Sequence, residues 1–239
     1  MTIDYEKLVL SLDNMDTYFS LTQKVDCIKK VAPSHFKGKL LDLGCGRMPY
    51  KSLIKKFSSI TEYIGMDISH EYYEQNIYKP DMIWDGTVIP LIEDSIDTVI
   101  LVEVLEHVPN AVAILKEVKR VLKDNGEVFI TVPFLWNLHD VPYDEYRYTP
   151  FSLKRIFMEA GFSHIEINTF GNWHASLALF LGSWVRRSRL SDFKRKLFSM
   201  LALPLVKYLY KRDRFTYGDS VNNFKEGAMC TGFWVIAKK

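Results

Sequence analysis

Apolar residues fall in two rhythms along this chain of 239 residues. Short stretches at 39–43, 96–102 and 127–132 are apolar on both faces, as strands covered on both sides of a parallel sheet must be. Between the last two, residues 110–122 repeat every three to four positions. Ala111, Ile114, Leu115, Val118, Val121 and Leu122 make one stripe, with Lys116, Glu117, Lys119 and Arg120 outside it, which predicts a helix packed on a sheet. Further strands are expected at 61–67, 82–84, 165–170 and 231–237, with a helix after Pro49 and another over 152–160 that stops at Gly161. Ahead of them, Tyr18, Leu21, Val25, Ile28 and Val31 are spaced as a helix, so residues 1–36 read as a helical lead-in able to cap a site. Strands alternating with helices predict an α/β, doubly wound, Rossmann-like fold. The expected division is a main domain over 37–172 and 218–239, interrupted by a helical insertion at 173–217.

Charge sharpens the picture of that insertion. The net charge of +2 hides ten Lys and Arg against two Asp in 173–217, a local +8 that leaves −6 for the rest. Residues 175–185 are apolar but too short to span a bilayer, and a basic run and a second apolar stretch follow. Apolar helices edged with Arg, Lys, Trp and Tyr suit a membrane interface, and equally a lid or a homodimer face over a substrate pocket. Peripheral membrane contact through 175–211 and a homodimer are both carried forward as expectations. Three scattered cysteines, Cys27, Cys45 and Cys230, suggest neither a disulfide framework nor a zinc site, and no metal is expected. The acidic, polar N-terminal stretch is unlike a signal peptide, so a cytoplasmic location is expected, with association at the inner membrane face as its extension.

The chemistry concentrates at K-L-L-D-L-G-C-G-R-M-P-Y, residues 39–50, where an apolar strand stops at a glycine-rich turn. Gly44 and Gly46 can take backbone angles closed to other residues and let a ligand lie against the main chain, and Asp42 adds a polar group. A dinucleotide fingerprint needs a third glycine at the helix start, but Arg47, Met48 and Pro49 follow, so a diphosphate has no cradle. The next strand ends in Asp67, a carboxylate placed to accept both hydroxyls of a ribose.

In order, D-L-G-C-G, Y-I-G-M-D, D-G, S-I-D-T-V-I and E-V-L-E-H-V span residues 40–132, and this series resembles the class I S-adenosylmethionine-dependent methyltransferases, small-molecule type. The resemblance implies a seven-stranded, mostly parallel sheet with a reversed last strand, the basic segment being an insertion before that strand. It implies S-adenosyl-L-methionine as cofactor, held by Asp42, Gly44, Gly46, Asp67, Ile68, Asp85, Gly86 and Glu103, with Asp85 at the adenine amino group. The later run from Pro133 to Thr149, with H-x-x-P-x-D-x-Y-R-Y-T inside it, resembles a bacterial subgroup associated with surface-polysaccharide and sugar modification.

That later loop follows a strand end, where ligands of open α/β sheets sit. His139 is the candidate base for a hydroxyl acceptor, oriented by Asp140 or Asp144. Arg147 either holds a substrate carboxylate or phosphate or pairs within the loop; Tyr143 and Tyr148 either stack on a sugar or pack. Glu106 and His107 read as structural, next to the helix start at Asn110. The function expected is methyl transfer, most readily O-methylation, to a small-molecule or glycan acceptor. The alternatives are a non-catalytic cofactor-binding scaffold at a membrane, or a nucleic-acid or protein methyltransferase; nucleic acid is not expected as a partner, because the basic residues lie among apolar runs.

Overall fold

The computed structural model describes residues 8–68, 79–213 and 226–239. Helix α1 (Tyr18–His35) leads into β1 (Lys37–Leu43), α2 (Lys51–Phe57), β2 (Ser59–Ile68), β3 (Met82–Trp84) and β4 (Ile96–Val102). A single 3-10 turn (Leu105–His107) precedes α3 (Ala111–Val121), β5 (Leu122–Pro133), α4 (Pro150–Glu159), β6 (Ser163–Phe170), α5 (Trp173–Arg187), α6 (Asp192–Asp213) and β7 (Gly232–Lys238).

These strands form one seven-stranded sheet in the order β3-β2-β1-β4-β5-β7-β6. Pairing is parallel from β3 through β5, and β7 runs antiparallel to both β5 and β6. This is the doubly wound sheet with the reversed last strand that the sequence predicts. The reason is visible in burial: β4 and β5 are covered on both faces, by α3 and α4 on one side and α1 and α2 on the other, so their central residues, 99–102 and 128–130, are apolar. One boundary differs from expectation. β5 is irregularly paired from Leu122 onward, with Asn125 at φ 61, so the D-N-G turn is taken up inside the strand's irregular start.

Local signals set the helix starts. The Asn110 side chain accepts from the Ala113 N–H at the head of α3, and at α4 Thr149 and Ser152 form a reciprocal cap with Pro150 in the first turn. Between β6 and β7, α5 and α6 pack against each other and on α1, burying Met15, Phe19, Ala175, Ala178, Val206 and Tyr210 as a separate cluster. Asp213 at the end of α6 accepts from the Asn172 and Ala175 N–H groups, tying the two ends of the insertion together with a carboxylate at a helix N-terminus. The expected boundary at 217/218 and residues 1–7 of the lead-in lie outside the described residues. Among the described residues no helix is long and apolar enough to cross a membrane.

Candidate active site

Because β1, β2, β3 and β4 are neighbours and parallel, their carboxyl ends bring Asp42, Gly44, Gly46, Asp67, Ile68, Asp85, Gly86 and Glu103 to one edge of the sheet. Gly44 and Gly46 both sit at positive φ, 75° and 52°. The turn is pinned from below by Gly44 and Cys45 N–H donating to the Met66 carbonyl, at 2.8 and 3.1 Å. Asp67 holds its upper side, accepting from Gly46 N–H at 2.7 Å and from Ile68 N–H at 2.8 Å. A Cβ on Gly44 would strike Val104 at 2.5 Å, whereas one on Gly46 would meet nothing within 4 Å. Open space therefore lies over the turn at Gly46.

Asp42 is buried beneath this turn and accepts from the Tyr63 hydroxyl, and burial pushes its carboxyl up to about 7. Glu103, in a left-handed conformation at φ 57, is fixed by Thr131 Oγ1 at 2.9 Å, while Lys24 Nζ of α1 lies 2.7 Å from its other oxygen. At the outer strand, Asp85 closes a tight turn by accepting from the Thr87 hydroxyl and the Thr87 and Val88 N–H groups, which holds its carboxyl below the usual range. Gly86 and the half-exposed Ile68 lie side by side there, 3.6 Å separating Ile68 from the place of a Gly86 Cβ.

The loop after β5 folds back over the 3-10 turn. Glu145 and Tyr146 N–H both donate to the Glu106 carbonyl, the Tyr146 hydroxyl donates to Pro109, and the buried Tyr148 hydroxyl donates to Leu105. Asp144 is the hub: one oxygen accepts from the His139 main chain and ring Nδ1 at 3.1 Å, and Arg147 grips it with two nitrogens at 2.6 and 2.8 Å. The Arg147 guanidinium is the main reason the Asp144 carboxyl lies well below the usual range. With a carboxylate on Nδ1, that nitrogen carries the ring proton and Nε2 keeps the lone pair.

His139 Nε2 lies 3.9 Å from Glu106 Oε1, and His107 Nε2 lies 3.8 Å from the same oxygen. The two rings meet edge to face at 4.8 Å, and His107 Nδ1 bonds the Tyr143 carbonyl at 3.0 Å. The Glu106 side chain is fully buried, neither oxygen has a hydrogen-bond partner, and burial followed by the Glu103 charge raises its carboxyl well above the ordinary value. Of the residues the sequence singles out, His139 thus faces Glu106 and His107. Arg147 is engaged inside the loop, Tyr148 is buried under it and Tyr143 is exposed, contributing its carbonyl.

Sequence reasoning passed over Lys24 and Thr131, which hold Glu103, and Trp136. Trp136 borders a cleft with Lys24, Glu103, Phe170 and Leu179, and a neighbouring apolar groove with Phe180 and Trp184. Arg187 lies over its ring at 5.4 Å. Helix α5 therefore reaches the acceptor side of the sheet.

A carboxylate-rimmed glycine turn at the carboxyl edge of a sheet with this reversed strand order defines a nucleoside-cofactor enzyme of the methyltransferase type. The comparisons agree. Residues 41–130 match the model of the methyltransferase domain family. A demethylmenaquinone methyltransferase of Staphylococcus saprophyticus is 26% identical, with 59% of this chain and 77% of that protein covered. A SAM-dependent methyltransferase from Archaeoglobus fulgidus superposes with a TM-score of 0.56 at 19% identity, covering 92% of this chain and 94% of that one. The Haemonchus contortus phosphoethanolamine N-methyltransferase 2, in complex with S-adenosyl-L-methionine, gives 0.54 at 15% identity, covering 98% and 61%. The solved structures speak for the fold, and the domain match marks residues 41–130 as a methyltransferase domain, similar to those of S-adenosylmethionine-dependent enzymes. The residues fit that cofactor, since the space above Gly46 is open and acidic and nothing at Arg47, Met48 or Pro49 builds a diphosphate cradle.

Proposed function

We propose that this methyltransferase acts on a hydroxyl oxygen of a small-molecule or glycan acceptor, and that His139 is the residue through which the hydroxyl is activated. The observation that carries the reading is the Asp144–His139 pair, which orients the ring so that Nε2 faces the buried Glu106. When bound over Gly44 and Gly46, with Asp67 at its ribose, S-adenosyl-L-methionine supplies an electrophilic methyl group on a positively charged sulfur and leaves as the neutral thioether. The leaving group needs no further activation, so the protein's task is to align an oxygen and to manage its proton. Asp144 fixes the tautomer and orientation of His139, and Arg147 holds Asp144 ionised and in place. Trp136, Phe180 and Trp184 offer the flat apolar surfaces on which a sugar ring or other cyclic acceptor packs.

The reading extends to location. One side of α5 is buried in the cluster on α1, yet Trp173, Leu177, Phe180 and Trp184, spaced three or four apart, are exposed on another. Phe193, Met200, Leu201 and Tyr208 of α6 are exposed as well. A helix apolar all round on a water-facing surface lacks a cover, and the basic charge of 173–217 favours an anionic lipid surface over a second copy of the same charge. The protein is accordingly read as cytoplasmic and held at the inner membrane face through 175–211, a homodimer being the competing cover.

The test is single-turnover methyl transfer to hydroxyl acceptors by the wild type and His139→Ala, with cofactor affinity measured alongside by calorimetry. A fall in rate of about 10²–10⁴-fold with cofactor affinity unchanged is expected. An unchanged rate removes His139 from the chemistry, and transfer to nitrogen or carbon acceptors alone removes the hydroxyl.

A further inference from the structure

We propose that Glu106, His107 and His139 are ligands of a divalent cation of the imidazole-preferring class, zinc or a neighbouring transition ion. The sequence reading expects no metal, since its three scattered cysteines lack metal-ligand spacing. The fold brings one oxygen and two ring nitrogens from Glu106, His107 and His139 to within 4.8 Å of one another. An ion about 2.1 Å from each atom in tetrahedral geometry separates its ligands by about 3.4 Å. Glu106 Oε1 stands 3.8 and 3.9 Å from the two Nε2 atoms and the whole set lies within 4.8 Å, so closing on an ion asks about half an ångström of each carboxylate–ring pair and up to about 1.4 Å between the two rings.

Three features point to an ion and not to incidental packing. Both rings are oriented from behind by unrelated partners, the Asp144 carboxylate on His139 Nδ1 and the Tyr143 carbonyl on His107 Nδ1, so that both lone pairs face the same point. Metal-ligating histidines characteristically carry such a second hydrogen bond. Glu106 is a fully buried carboxylate with no hydrogen-bond partner on either oxygen, a costly state that a coordinated cation relieves. On the open side, Asp140 Oδ2 lies 3.9 Å from His107 Nε2 and is exposed, leaving room for a fourth ligand from Asp140, water or an incoming hydroxyl. Two imidazoles in the set disfavour magnesium and calcium.

This assignment rests on, and deepens, the reading of the site as one that activates a hydroxyl. A cation there draws charge from the oxygen it binds, so the acceptor's O–H proton leaves to solvent; the oxygen lone pair forms the new bond to carbon, and the pair of the broken carbon–sulfur bond stays on sulfur. His139 then activates the hydroxyl as a ligand, not as the proton's final holder.

The test uses the full chain, stripped with a chelator and titrated with Zn²⁺ and with Co²⁺ by calorimetry and visible absorption. One ion per chain is expected, with the colour of a nitrogen- and oxygen-ligated cobalt centre. Glu106→Gln and His107→Ala should each weaken uptake by at least about 100-fold, and Asp144→Asn, which removes the carboxylate behind the His139 ring and its pair with Arg147, by about 10–100-fold. Circular dichroism and cofactor affinity, measured on each variant, identify any that misfold. Absence of stoichiometric uptake by the wild type, or wild-type affinity in folded Glu106→Gln, overturns the site. Methyl transfer that persists in chelator without uptake overturns the cation and leaves the enzyme reading standing; uptake without transfer to any hydroxyl does the reverse.

Discussion

Asp42 shows how burial beneath a turn retunes a single carboxylate. It lies 4% exposed under the glycine turn, faced by the Tyr63 hydroxyl, Cys45, Asp67 and Lys51. Burial raises its carboxyl from about 3.9 when unfolded to about 7 when folded. A raised acid favours the folded state when protonated: its contribution is full below pH about 4 and is lost as pH rises through about 7. Asp42→Asn, which keeps the shape and cannot ionise, should therefore gain stability relative to the wild type as pH rises from about 4 to about 7, by up to about 1.4 kcal/mol per pH unit, with the difference levelling off above that. Urea midpoints of the two proteins across that range decide it, and parallel curves would refute the account. The sequence made Gly44, Gly46 and Asp67 legible, because a glycine pair after an apolar run and an acid ending the next strand are local patterns. It made Glu106 look structural, because its burial and its partners come from residues 139–147, and no spacing along the chain records that approach.

At the scale of elements, legibility followed burial. Strands covered on both faces and the striped helix α3 could be read from pattern alone, whereas α4, expected from Ser152, begins two residues earlier behind its Thr149 cap. The seating of α5 could not. Gly182 lies against the chain before α1, where an added Cβ would come 2.5 Å from the Met15 carbonyl oxygen. A helical glycine is usually a weak point, but here only its bare backbone permits the approach. Gly182→Ala should lower stability by about 1–3 kcal/mol despite the better helix propensity of alanine, since the clash is with main chain. Thermal unfolding reads this as a drop of roughly 2–4 °C per kcal/mol, and a rise in midpoint would mean that α5 is not docked this closely.

For the whole molecule, the proposed membrane contact puts the burden on the apolar and basic face of the insertion. The intact protein should sediment with vesicles containing anionic lipid and stay in the supernatant with neutral ones or at high salt, because the attraction is partly electrostatic. A chain lacking 175–211 should not sediment with either. Equal behaviour of the two chains would remove the membrane from the account, and a concentration-dependent dimer that vanishes with the deletion would put a second copy in its place.

One helix links these scales. Lys24 of α1 stoppers Glu103 at the strand ends, while Phe19, about one and a half turns away, stacks on Tyr210 of α6 at 4.6 Å between centroids. On the proposed reading, spent cofactor would leave past that lysine, and anything that lifts the appendage would tug the same rod. Docking of the outer face and cofactor release would then share a single moving part.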